Sequence, residues 1–187
     1  TAAYEARFLA YQACKSTGNI YYTMLASMKL AITLRSQGRL QRTLEICQQQ
    51  IQSAHDSGLS QTPLGGLLLL ICGEVLVEIN DLDAGRDQAI KGINFAERSD
   101  DMAFLGCSYI CQMRILFSRR ELSGIEEIIE NIGKSARKSN VPPWIVGQMA
   151  AWQARIWLAQ NKLEAASQWA QERGFVPLGE PIPENEI

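Results

Sequence analysis

The chain has 187 residues, of which 47% are hydrophobic and 20% charged, a composition typical of a globular protein with a sizeable core. Its net charge of −2 excludes the strongly basic surface of a nucleic-acid-binding domain. The longest apolar run, Leu64 to Gly73, is too short to cross a bilayer, so we expect no membrane partner.

Helical patterns follow one another along the whole chain. A leading helix spans about residues 4–16 and ends before Gly18, since glycine tolerates the left-handed turn that closes a helix. Four pairs of helices follow, at about residues 20–58, 63–98, 101–139 and 142–173. Prolines and a glycine then predict an extended tail or linker over residues 176–187. No alternating pattern indicates a strand, so the sequence predicts an all-α fold.

A short polar elbow that ends in leucine interrupts each predicted pair of helices. These leucines follow one another at spacings of 42, 40 and 41 residues, and they are Leu40, Leu82, Leu122 and Leu163. A period near 41 residues with a break inside each period is typical of helical hairpins stacked into an α-solenoid.

Small residues flank the second elbow. Gly73 lies nine residues before Leu82, and Gly85 lies three residues after it. Small residues at these positions allow the two helices of a hairpin to approach closely. Met113 and Ile125 occupy the corresponding positions of the third hairpin, where we expect looser packing.

The elbows and the small residues resemble the tetratricopeptide repeat. This resemblance implies a right-handed superhelix of helical hairpins, in which the first helices of successive pairs line a concave groove. It also implies that a fragment with uncovered end faces would self-associate, because solenoid ends need capping.

Two longer runs carry a more specific resemblance, one over residues 74–84 and one over residues 152–170. Both are similar to the C-terminal repeat region of large ATP-binding LuxR-type transcriptional regulators, the MalT-like family. In that family an N-terminal P-loop domain binds ATP, and a C-terminal helix-turn-helix binds DNA. This segment contains neither a GxxxxGK[ST] motif nor a basic recognition helix, so it is expected to hold no cofactor and to reach DNA only through a separate C-terminal domain.

Charged and polar side chains occur at positions that face the groove in tetratricopeptide-like stacks. The register places Glu74 next to Arg114, and Arg114 next to Arg155. Such a ladder among apolar neighbours is either a salt bridge between repeats or a ligand-binding site. The candidate groove residues are Arg35, Glu74, Glu78, Arg114, Gln148 and Arg155.

Residue chemistry gives no support for catalysis or for a metal site. His55 is the only histidine, so no serine hydrolase triad can be assembled. Cys107 and Cys111 are four residues apart, but a metal site would need two more ligands. Five cysteines without a CxxC pair favour a reducing, cytoplasmic location over a disulfide framework.

The sequence therefore predicts a non-catalytic sensor of a LuxR-type regulator, with a small-molecule inducer or a regulatory protein in its groove. The alternative is a free-standing scaffold for protein–protein interaction that has no connection to transcription. The flanking sequence would distinguish the two, since only the first needs a P-loop upstream and a helix-turn-helix downstream.

Overall fold

The computed structural model describes residues 2–99, 101–136 and 141–174. Within these ranges the chain forms nine α-helices and no strand, which confirms the predicted all-α repeat fold. The helices are α1 (Ala2–Ser16), α2 (Ile20–Ser36), α3 (Leu40–Asp56), α4 (Pro63–Glu78), α5 (Leu82–Ala96), α6 (Met102–Ser118), α7 (Leu122–Ala136), α8 (Pro143–Ala159) and α9 (Leu163–Glu172).

The chain divides into two compact units, residues 1–146 and residues 147–187. The first unit contains α1 to α7 and the first turn of α8, and the second contains the rest of α8 and α9. The predicted tail at 176–187 and the end of the third predicted pair at 137–139 lie outside the described residues. No helix among the described residues combines the length and the apolar composition needed to span a bilayer.

The four elbows share one backbone conformation. In each elbow the residue two positions before the leucine has a positive φ, between 58° and 72°. The backbone N–H of the next residue donates to the carbonyl five residues earlier, at 2.8 to 2.9 Å. This is the bonding pattern that closes a helix after a left-handed residue, and it explains why each elbow breaks the helix at the same point. The left-handed residues are Gly38, Asn80, Arg120 and Asn161.

Helix α4 forms the centre of the first unit. Every residue from Leu64 to Val77 is buried, because α2, α3, α5 and α6 all pack against this helix. A helix that is apolar on all sides is expected to be covered on all sides. The predicted close contact with α5 is present: a Cβ atom added at Gly73 would lie 2.8 Å from the carbonyl oxygen of Gly85.

The third hairpin lacks such a glycine contact. Met113 and Ile125, which replace the small residues, are both fully buried. The contact between α6 and α7 is much less extensive than that between α4 and α5. This is the looser packing that the larger side chains at these two positions predict.

Candidate functional site

A buried carboxylate on α4 is the centre of the candidate site. The side chain of Glu74 is only 1% exposed, and both of its oxygens face arginines from neighbouring first helices. Nη1 of Arg114, on α6, donates to Oε1 of Glu74 at 2.9 Å. Nη1 of Arg35, on α2, forms an ion pair with Oε2. One carboxylate therefore links the first helices of three successive hairpins.

The two arginines differ in their access to solvent. The Arg35 side chain is 11% exposed, whereas that of Arg114 is 37% exposed. Burial lowers the pKa of Arg35, and the positive charge of Arg114 lowers it further, while Glu78 partly offsets both effects. An arginine stays charged in spite of such shifts. The site thus holds two cations and one buried anion, with Glu78 as an exposed second anion one turn further along α4.

A guanidinium group carries five N–H donors, and the pair with Glu74 uses one from Nη1 of Arg114. The exposed part of Arg114 can therefore donate further hydrogen bonds to a group that approaches it from solvent. The Arg35 side chain is too buried to donate further hydrogen bonds to such a group unless it moves. A hydrogen-bond acceptor can bind to Arg114. Its binding would change the interaction of Arg114 with the buried carboxylate of Glu74.

The remaining candidates occupy other surroundings. Gln148 and Arg155 are exposed residues of the second unit, and the Arg155 guanidinium lies 4.8 Å from the centre of the Trp152 ring. The predicted proximity of Arg114 and Arg155 joins residues of the two units and stays a prediction. The predicted proximity of Glu74 and Arg114 is confirmed, while the role of all six candidates in binding stays a prediction.

The ion pair between Arg35 and Glu74 was not predicted from the sequence, although both residues were candidates. Glu74 lies eight residues before its elbow leucine and Arg35 lies five residues before its own, so their registers differ. An alignment of the repeats on their elbow leucines predicts contacts only between residues that lie equally far from those leucines. The signal in the sequence is an arginine on the preceding first helix that lies one turn nearer to its own elbow leucine than Glu74 does to Leu82.

Buried thiols surround this cluster. Cys47 and Cys111 are buried, and burial raises the pKa of Cys111 to about 12. Cysteines in such surroundings act as small apolar residues, because the reactive thiolate is not formed. Across the described part of the chain, no three His, Cys, Asp or Glu side chains form a group that could hold a metal ion.

One comparison with known proteins agrees with this fold. The family model described as the MalT-like TPR region matches residues 1–185. No curated protein and no solved structure matches the chain.

Proposed function

This chain belongs to the family of MalT-like TPR regions, and on that premise we propose that it is the sensor module of a LuxR-type, ATP-dependent transcriptional regulator. The observation that carries the proposal is the cluster of Arg35, Glu74 and Arg114. A buried ion cluster rarely stabilises a fold more than well-packed apolar residues of the same volume would. Its presence in the apolar core of a repeat array is better explained by a role in binding.

The occupant of the groove is a small-molecule inducer or a segment of a regulatory protein that offers a hydrogen-bond acceptor to Arg114. The module itself is non-catalytic. ATP and DNA are bound by other parts of the regulator. Gln148 and Arg155, together with Arg35 and Glu78, are the further residues proposed to line the groove.

The cluster also suggests how binding is sensed. Glu74 of α4 forms ion pairs with Arg35 of α2 and with Arg114 of α6. A ligand that draws Arg114 away from Glu74 therefore weakens one of the two ion pairs that connect successive hairpins. A ligand shifts the equilibrium between two arrangements only by its difference in affinity for them. The ion pair therefore couples occupancy of the groove to the packing of the first three hairpins.

The native reading frame tests the assignment to a regulator. We expect a GxxxxGK[ST] motif upstream and a helix-turn-helix downstream. If neither is encoded there, the transcriptional role is wrong and the chain is a binding scaffold. Self-association of the isolated chain is a separate prediction, and light scattering that shows a monomer at every concentration would contradict it.

A further inference from the structure

A cavity of about 150 Å³ lies where α1, α2 and α3 of the first unit meet. Its volume corresponds to about five water molecules at about 30 Å³ each. Lys15, in the last turn of α1, lines this cavity and is exposed to solvent, whereas Thr23 of α2 and Gln50 of α3 are buried lining residues. The cavity is therefore reachable from solvent and has buried polar residues in its wall.

Gln50 has a hydrogen-bond acceptor that the fold leaves unused. The residue is only 2% exposed, and its Nε2 donates to Oη of Tyr11 at 3.4 Å. Among the described residues, none donates a hydrogen bond to Oε1 of Gln50, which is also buried. A buried amide oxygen costs free energy unless a donor reaches it. A ligand that brings a donor into the cavity would remove this cost.

The repeat shows that the hairpin fold does not need a glutamine at this position. Gln50 lies ten residues after its elbow leucine. Gly92 and Ile132 lie equally far after Leu82 and Leu122, and both are buried. The second helices of the next two hairpins therefore pack without a polar group here. A buried glutamine that occurs only beside the cavity is better explained by binding than by packing.

The two hydroxyl groups among the lining residues can only accept hydrogen bonds from a ligand. Oγ1 of Thr23 donates its proton to the carbonyl of Asn19 at 2.8 Å. Oγ of Ser53 donates its proton to the carbonyl of Gln49 at 3.0 Å. Each hydroxyl has a single proton but further lone pairs. Together with Oε1 of Gln50, the lining residues thus supply three acceptor oxygens, which suit a group rich in donors such as an ammonium ion.

We propose that this cavity binds a small α-amino acid. The ammonium group of the ligand donates to the side-chain oxygens of Gln50, Thr23 and Ser53. Its carboxylate pairs with the ammonium group of Lys15 on the exposed side. A simple amine would leave Lys15 without an anion, and a simple carboxylate would bring no donor to the three oxygens.

The size of the cavity limits the ligand further. A volume of about 150 Å³ admits an amino acid whose side chain has only a few carbon atoms, and Ile20 supplies an apolar contact for it. The cavity shares no residue with the charged cluster around Glu74. The amino-acid site is therefore independent of the role proposed for that cluster.

Titration of the full chain with four small molecules, followed by NMR, tests the class of ligand. L-alanine carries both charged groups, propionate lacks the ammonium, ethylamine lacks the carboxylate, and glycerol offers hydroxyl groups alone. We expect L-alanine to bind saturably and at least about tenfold more tightly than each of the other three, because only it satisfies both sides of the cavity. If L-alanine does not bind, or if any of the other three binds as tightly, the proposal is wrong.

Two variants test whether binding takes place in this cavity. Lys15→Gln removes the partner of the carboxylate, so L-alanine should lose its advantage over ethylamine. Gln50→Leu removes the acceptor of the ammonium group, so L-alanine should lose its advantage over propionate. Gln48→Leu, at an exposed position of α3 outside the cavity lining, is the control and should leave all four affinities unchanged.

Circular dichroism checks that each variant is folded. Lys15→Gln changes only an exposed side chain, so its result stands even if Gln50→Leu fails to fold. Unchanged affinities in Lys15→Gln would show that L-alanine binds elsewhere, and would overturn the proposal.

Discussion

The carboxylate of Glu74 accepts a hydrogen bond at 2.9 Å from the guanidinium of Arg114, forty residues later in the chain. The two residues occupy the same register of successive first helices, so a repeat of period about 41 places them side by side. Arg35 binds the other oxygen of the same carboxylate. The charged cluster is therefore a link between the first helices of three successive hairpins.

Removal of the buried negative charge should destabilise the first unit. Glu74→Gln leaves two guanidinium groups without their counter-ion, and we expect the free energy of unfolding to fall by about 2–4 kcal/mol. Urea denaturation followed by circular dichroism measures the change. Glu78→Gln, at the exposed C-terminal end of α4, is the control and should cost less than about 0.5 kcal/mol. Equal effects of the two substitutions would show that burial of Glu74 has no energetic consequence.

The contact between Gly73 and Gly85 should not tolerate a methyl group. Gly73→Ala places a Cβ atom 2.8 Å from a backbone oxygen, which cannot move without separating α4 from α5. We expect a loss of about 1–3 kcal/mol in a thermal or urea melt.

The matched control for this substitution is Gly147→Ala, a helical position with nothing within 4 Å of the added atom. There alanine should raise stability by up to about 1 kcal/mol through its better helix propensity. A stabilising effect of Gly73→Ala would mean that the two helices are not in close contact.

The third elbow carries a conformational cost that glycine would relieve. Arg120 has φ of 61°, a left-handed conformation that side chains disfavour by about 1–2 kcal/mol. Arg120→Gly should therefore raise the melting temperature, in spite of the greater freedom of glycine in the unfolded chain. Gly38→Ala, at the same position of the first elbow, should lower it. Shifts of the same sign in both variants would contradict a shared elbow conformation.

Alkaline pH should destabilise the protein through its buried thiols. Burial raises the pKa of Cys72 from 9.0 to about 11. Between these values the unfolded chain loses the thiol proton and the folded chain keeps it, so the stabilisation is complete below pH 9 and is lost as pH rises toward 11. The expected slope is up to about 1.4 kcal/mol per pH unit for this group.

Urea melts at pH 8 and pH 10.5 under reducing conditions measure this loss. Cys72→Ala should reduce it. Val75→Ala, an apolar truncation in the same helix, should lower stability at both pH values and leave the loss unchanged. If the Cys72→Ala variant loses as much stability between pH 8 and pH 10.5 as the wild type does, the buried thiol of Cys72 does not cause the loss.

Much of the fold could be predicted because one leucine in each elbow fixes the register of the repeat. From Leu82 and Leu122, the register identifies Gly73 as the close contact and Glu74 as a neighbour of Arg114. The pair of Arg35 and Glu74 could not be predicted, because it crosses registers and depends on how far α2 is displaced along α4.

Binding at Arg114 is the most direct test of the sensor proposal. The measurement is a thermal-shift screen of sugars, carboxylates, phosphates and peptides against the wild-type chain, followed by calorimetric titration of every hit against Arg114→Ala. Because Arg35 stays paired with the buried Glu74 carboxylate, this substitution should lower the stability of the free chain by less than Glu74→Gln does. We expect at least one class of compound to stabilise the wild type and to lose its binding in Arg114→Ala. Hits that bind both chains equally would show that Arg114 makes no contact with the ligand, and would contradict the proposal.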